Sequence, residues 1–175
     1  MLESTRLIIR PAELEDAQNL FELNSDPEVV RYTGDASFNS MTEVQDLIGN
    51  RMIQQFGQHK MSRFIVTLKD NTFLGWCGLK YFPETDEVDL GYRFMKKHWG
   101  KGYATESSMA CLKYGFEELK LKRIIAKAMP DNVASIKVMQ KLGMTFRGYV
   151  HDPTDPHPFV LFDITAHEFK KCAES

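Results

Sequence analysis

The segment from Trp99 to Thr105, WGKGYAT, joins a strand-like run to a helix-like one and puts Gly100 and Gly102 where the helix begins. The first turn of a helix has amide donors without intrahelical partners, usually met by a capping Ser, Thr, Asp or Asn side chain. Here those positions hold glycine and lysine, so the backbone can approach an anion closely and the helix dipole adds roughly half a positive charge. A pyrophosphate suits such a cradle, with Lys101 and either Lys96 or Lys97 adding charge at the rim. The same letters also suit a tight strand-to-helix turn with solvated lysines. Two other nucleotide loops fail on their residues: Lys101 is followed by Gly102 instead of Ser or Thr, and Thr105 stands where a dinucleotide fingerprint needs its third glycine. Just upstream, Glu87, Asp89, Gly91 and Arg93 alternate with Val88, Leu90 and Tyr92, which sets both carboxylates on one face of a strand. His151, Asp152, Asp155 and His157 look superficially like metal ligands, but the prolines between them suit a rigid loop and no metal is expected. His98 reads as an exposed loop residue.

These groups need elements to hold them. RLIIRP reads as a short strand stopped by proline, followed by a helix with Ala17, Leu20, Phe21 and Leu23. Val44, Leu47, Ile48, Met52 and Phe56 recur at helical spacing behind Ser40 and Thr42 as candidate caps. FIVTL, FLGWCGLKYF and EVDLGYRFM then form three strands of an antiparallel meander, separated by the turn-forming KDN and PETD. A helix from about Gly102 to Leu119, the strand RIIAKAM and the helix NVASIKVMQKLG follow, the last stopped by Gly143. MTFRGYV and PFVLFDITA close the chain as strands around the loop HDPTDPHP. The fold class is therefore α/β (α+β), a mixed and mostly antiparallel sheet of about six to seven strands flanked by helices, with residues 1–175 as one domain.

The bulk numbers agree with a packed protein and exclude other classes. Hydrophobic residues are 43% and charged residues 26% of the 175, a globular composition. A formal net charge of -2 provides no broad positive field, so direct nucleic-acid binding is not expected. No apolar run approaches the roughly 20 residues that span a bilayer, and the first residues lack the zones of a signal peptide, so no membrane partner and a cytoplasmic location are expected. Cys77, Cys111 and Cys172 form no CxxC pair and read as reduced thiols.

In order, EVDLGYRFMKKHWGKGYATESSMACLKYGF and PDNVASIKVMQKLGM closely resemble the GNAT superfamily of N-acetyltransferases. LGY, WGKGYATE and NxxSxxVxxKLG look most like the branch of bacterial ribosomal-protein alanine and serine N-terminal acetyltransferases. One position departs: Trp99 stands where the family loop usually has Gln or Arg, a replacement common in that branch. The resemblance implies acetyl-CoA as donor, with its pyrophosphate on the amides of Gly100, Lys101, Gly102, Tyr103, Ala104 and Thr105. It also implies a bulge in the strand ending at Phe94, a splayed gap beside that strand, and the Phe94 amide facing the thioester oxygen. Asn132 would contact the pantetheine side. Many members place a Tyr four residues after Ser135 to protonate the leaving thiolate; Met139 stands there, so Ser135 becomes the candidate donor, or else a hydroxyl bonded to its own preceding turn. Asp89, with Glu87 second, is the candidate base, or else a solvated or arginine-paired carboxylate. Arg31 and Tyr32 fall where the acceptor pocket is shaped.

The implied reaction moves acetyl to a primary amine. Near pH 7.4 a lysine costs roughly 4 kcal/mol to deprotonate and an α-amine under about 1, so a peptide N-terminus needs little help from a base. That arithmetic is compatible with an α-amine and leaves a small-molecule amine open; the resemblance to the ribosomal-protein branch makes a ribosomal or other protein N-terminus the favoured acceptor. A polyamine, amino acid or aminoglycoside-like amine is the alternative, and a non-catalytic CoA-binding module is a second class. Both a monomer and a homodimer are compatible with the sequence.

Overall fold

Changes of hydrophobic period along the chain mark out its elements, and a computed structural model describes them for residues 1–151 and 156–173. The strands are β1 (Leu2–Glu3), β2 (Leu7–Arg10), β3 (Arg63–Leu68), β4 (Phe73–Phe82), β5 (Glu87–Phe94), β6 (Arg123–Ala128), β7 (Thr145–His151) and β8 (Pro158–Thr165). The helices are α1 (Ala17–Ser25), α2 (Pro27–Val30), α3 (Met41–Asp46), α4 (Gln54–His59), α5 (Tyr103–Lys113), α6 (Val133–Lys141) and α7 (Ala166–Ala173). Leu47–Ile53 links α3 to α4 as a π-helical stretch, and a second one, Tyr114–Glu118, continues α5. Ser40 caps α3, accepting the Glu43 amide while the Glu43 side chain accepts the Ser40 amide in return; Thr42 lies inside the helix.

One sheet runs through these elements in the order β1-β2-β3-β4-β5-β6-β8-β7. It has eight strands, against the six to seven expected, because the two-residue β1 adds an edge too short to be read from period. Neighbours are antiparallel except β5 and β6, which are parallel and meet at the single pair Asp89↔Ile125. Beyond that pair no further pairing joins the two strands toward their C-terminal ends, in keeping with the splay that the family resemblance implies. The implied bulge is absent: β5 pairs with β4 without a register shift from Phe82↔Glu87 to Gly75↔Phe94, and the irregularity falls between Val66 and Thr67 of β3. The gap therefore comes from the departure of β6.

Period-two alternation divides the core. Phe64, Val66, Leu79 and Leu90 face α5, α6 and α7, where Cys111, Leu112, Phe116, Met139 and Phe169 are buried. Ile65 and Phe73 face the other way, against Leu20, Leu23, Val44, Ile48 and Met52 of the first helices. At about 1.5–3 kcal/mol for each fully buried aliphatic side chain, these two layers fix the sheet and hence the ends of β5 and β6. No helix among the described residues is long and apolar enough to cross a membrane. Asp152 and Asp155 lie outside the described residues, and no group of metal-ligating side chains occurs among the rest.

Candidate active site

Gly100 and Gly102 have φ of +73° and +81°, left-handed values that glycine adopts without strain. Gly102 is the N-cap of α5 and offers no side-chain bond to the helix amides. The loop is braced from behind. Arg6 Nη1 donates to the Lys101 carbonyl at 3.0 Å, and its guanidinium lies 4.6 Å from the centre of the Tyr103 ring. Glu106, in the first turn of α5, accepts from the Ser4 hydroxyl at 2.7 Å, the Arg6 amide at 2.9 Å and Arg6 Nε at 2.7 Å. Burial works to raise the Glu106 carboxyl, but the Arg6 amide, Ser4 hydroxyl and Arg6 charge outweigh it and hold it below its ordinary value. In front, Trp99 Nε1 donates to the Phe94 carbonyl at 2.8 Å, clasping the loop to the end of β5. Trp99 thus has a defined task where the family usually places Gln or Arg.

The loop opens onto a cleft of about 450 Å³. Phe94, Trp99, Gly100, Gly102, Tyr103, Ala104 and Thr105 line it, as do Asn132 and Ser135. Lys101 is exposed and does not line it. The Met95 amide donates to Leu74 across the β4–β5 ladder at 2.9 Å. One step back, the pair Gly75↔Phe94 is therefore the kind that exchanges no ladder bonds, and the Phe94 amide points toward the gap beside β6. On α6, Asn132 caps the helix by accepting the Ser135 amide at 3.2 Å. Met139 is buried in the core. The phenol near Ser135 comes instead from β5: the Tyr92 hydroxyl lies 2.9 Å from Ser135 Oγ. Lys137 and Lys141, one turn apart on α6, also line the cleft. The sequence reading passed over Tyr92, Lys137 and Lys141; the i, i+4 lysines were the available signal.

The opposite wall holds Glu28, Val29, Tyr32 and Thr33, with Arg93 at its base. Tyr32 is thus brought to the cleft; Arg31 is exposed and stacks on the Tyr32 ring at 5.0 Å without lining it. Glu28 is ion-paired with Lys96. Arg93 donates to the buried Asn24 side chain and to Asp35 at 2.6 Å, and burial lowers its pKa despite Asp35. Asp89 and Glu87 are not brought here. Asp89 faces Arg63, whose Nη2 lies 2.5 Å from Asp89 Oδ2 and whose Nη1 donates to the Asp89 and Gly78 carbonyls. Gly91 makes room for this: a Cβ there would sit 2.8 Å from the Arg63 guanidinium carbon. Glu87, at the far end of β5, pairs with Arg123 at 3.5 Å and borders a separate depression with Lys122 and Ile125. His98 is half-buried in the cleft wall instead of exposed, and burial, then Lys97 and Lys101, lower its pKa, which favours the neutral ring.

Comparison with known proteins places this geometry. Residues 6–145 match the family described as "Acetyltransferase (GNAT) domain". The uncharacterized N-acetyltransferase p20 of Bacillus licheniformis is 35% identical over 154 residues, 86% of this chain and 85% of that one. A GNAT-family acetyltransferase from Bacillus anthracis superposes with a TM-score of 0.81 at 31% identity, covering 95% of this chain and 98% of its own. More distantly, a spermidine N(1)-acetyltransferase of Escherichia coli is 26% identical over 144 residues, 80% of this chain and 73% of that one. A ribosomal L7/L12 alpha-N-protein acetyltransferase in complex with coenzyme A shares the fold alone, with a TM-score of 0.78 at 18% identity over 93% of this chain and 95% of its own.

Proposed function

Because the chain belongs to the GNAT family and is an N-acetyltransferase with acetyl-CoA as its donor, we propose that it acetylates the α-amine of a protein or peptide N-terminus, ribosomal proteins included. The observation that carries this acceptor is the state of the cleft's carboxylates. Among the described residues a single one, Glu28, lines the cleft, and it is tied to Lys96. Among the described residues no other carboxylate lines the cleft to strip a high-pKa amine or to balance the several charges of a polyamine. An α-amine, under about 1 kcal/mol from its neutral form near pH 7.4, needs neither.

The donor's pyrophosphate is assigned to the uncapped amides from Gly100 to Thr105, a cradle that a side-chain cap would have closed, with Lys137 and Lys141 adding positive charge. The thioester supplies the activated acetyl group. The Phe94 amide, pointing into the gap, is assigned to the oxygen that becomes negative as the amine attacks, the kind of donor commonly worth about 3 kcal/mol. Ser135 is assigned to hydrogen-bond the departing sulfur. Asn132 orients Ser135 by capping α6, and Tyr32 forms part of the acceptor wall. Asp89 is assigned a structural role through Arg63.

The second reading is a polyamine acceptor, favoured by the likeness to the spermidine enzyme. Release of free thiol from acetyl-CoA, measured with N-terminal peptides and with spermidine, separates the two. The proposal expects kcat/KM on peptides to exceed that on spermidine by at least about tenfold; the reverse order overturns it.

A further inference from the structure

Ser135 could be a solitary hydroxyl on α6, but Tyr92 reaches it from the other side of the gap at 2.9 Å. Burial pushes the Tyr92 phenol up to about 12, against the opposing effect of the Ser135 bond, so across any ordinary assay range it keeps its hydrogen. A serine hydroxyl has one hydrogen to give and two lone pairs to receive. The hydroxyl of a helical serine can turn back to a backbone carbonyl three or four residues earlier, where it serves no chemistry. A phenol donating to Ser135 Oγ fills a lone pair and changes which directions remain for the serine hydrogen. Ser135 borders the cleft, and Met139, one turn further along, is buried in the core and offers no donor.

We propose that Tyr92 is a positioning residue: it donates its hydroxyl hydrogen to Ser135 Oγ and thereby turns the Ser135 hydrogen into the cleft, onto the departing sulfur. This rests on the role assigned to Ser135 above. The balance of the reaction is simple. The amine lone pair forms the C–N bond, the C–S pair leaves on sulfur, the nitrogen gives one proton to water, and the thiolate takes one from water. Tyr92 and Ser135 begin and end the turnover with their own hydrogens and contribute hydrogen bonds alone.

The test is a titration of the coenzyme A thiol bound to the full chain, followed by thiolate ultraviolet absorbance, in wild type, Tyr92→Phe, Ser135→Ala and the double variant. Wild type should hold the bound thiol below its free value. Each single variant should raise it by about one unit, a tenfold change in the thiolate equilibrium, and the double variant should go no further. Turnover should fall about tenfold in each, with KM for acetyl-CoA within about threefold. A Tyr92→Phe protein that titrates like wild type while Ser135→Ala is shifted overturns the proposal, as do shifts that add in the double variant. If Tyr92→Phe fails to fold, 3-fluorotyrosine at position 92, a stronger donor of similar shape, must move the bound thiol further down; no movement or an upward one overturns it. A wild-type protein that binds no coenzyme A contradicts the donor site itself, a separate failure.

Discussion

Asp89 carries its charge for Arg63. The two side chains are 15% and 17% exposed, and the guanidinium also lies 5.4 Å from the centre of the Trp76 ring, so the pair ties β3, β4 and β5 together. Asp89→Asn keeps an acceptor but loses the charge, and should cost about 1–3 kcal/mol of stability by denaturant unfolding. Its kcat on a peptide acceptor should stay within about threefold of wild type; loss of turnover in a fully stable protein would restore Asp89 as a base. Trp99→Phe removes the donor to the Phe94 carbonyl and should raise KM for acetyl-CoA about three- to tenfold, measured by steady-state kinetics, with unchanged values contradicting the clasp. The face of Asp89 was legible from period two, but its partner was not. Arg63 arrives through strand register and through the space left by Gly91, and neither is written near Asp89 in the chain. Tyr92 was passed over for the same reason, because its meeting with Ser135 spans 43 residues.

Helix α5 is held to the start of the chain by Glu106, and that tie has a pH signature. Its carboxyl lies below the ordinary 4.5 in the folded protein, so between the folded and unfolded pKa values the unfolded chain binds more protons. The stabilisation is complete above the unfolded value and is lost as pH falls through the folded one. Glu106→Gln should therefore flatten the acid limb of a Tm-against-pH curve below about pH 4.5 and leave its slope near pH 7 unchanged. An acid limb identical to wild type would show that the tie contributes nothing. The cores of the longer elements were legible because their apolar residues repeat with a clear period. Helix α7 was legible too, though unread: Thr165 and Glu168 form a reciprocal cap, Thr165 Oγ1 accepting the Glu168 amide at 3.3 Å and Glu168 accepting the Thr165 amide at 2.8 Å. The absent bulge in β5 is different in kind, since a register irregularity depends on the neighbouring strand.

Across the molecule, two packed layers hold a sheet that is continuous except where β6 leaves β5 after one pair. That opening, facing the uncapped start of α5, is what lets one strand end and one loop act on the same ligand. The order of elements and the loop were readable from the chain; the acceptor wall was not, because α2 and the residues after it meet Arg93 only through the tertiary fold. The central claim is that bare amides at the start of α5 hold the diphosphate of coenzyme A. Titration calorimetry of coenzyme A against wild type and Gly102→Asp tests it most directly, since the aspartate sets a carboxylate at those amides on an exposed, left-handed position. A folded variant whose affinity falls by at least about a hundredfold is the predicted result, roughly 2.7 kcal/mol; a folded variant that binds as tightly as wild type would contradict it.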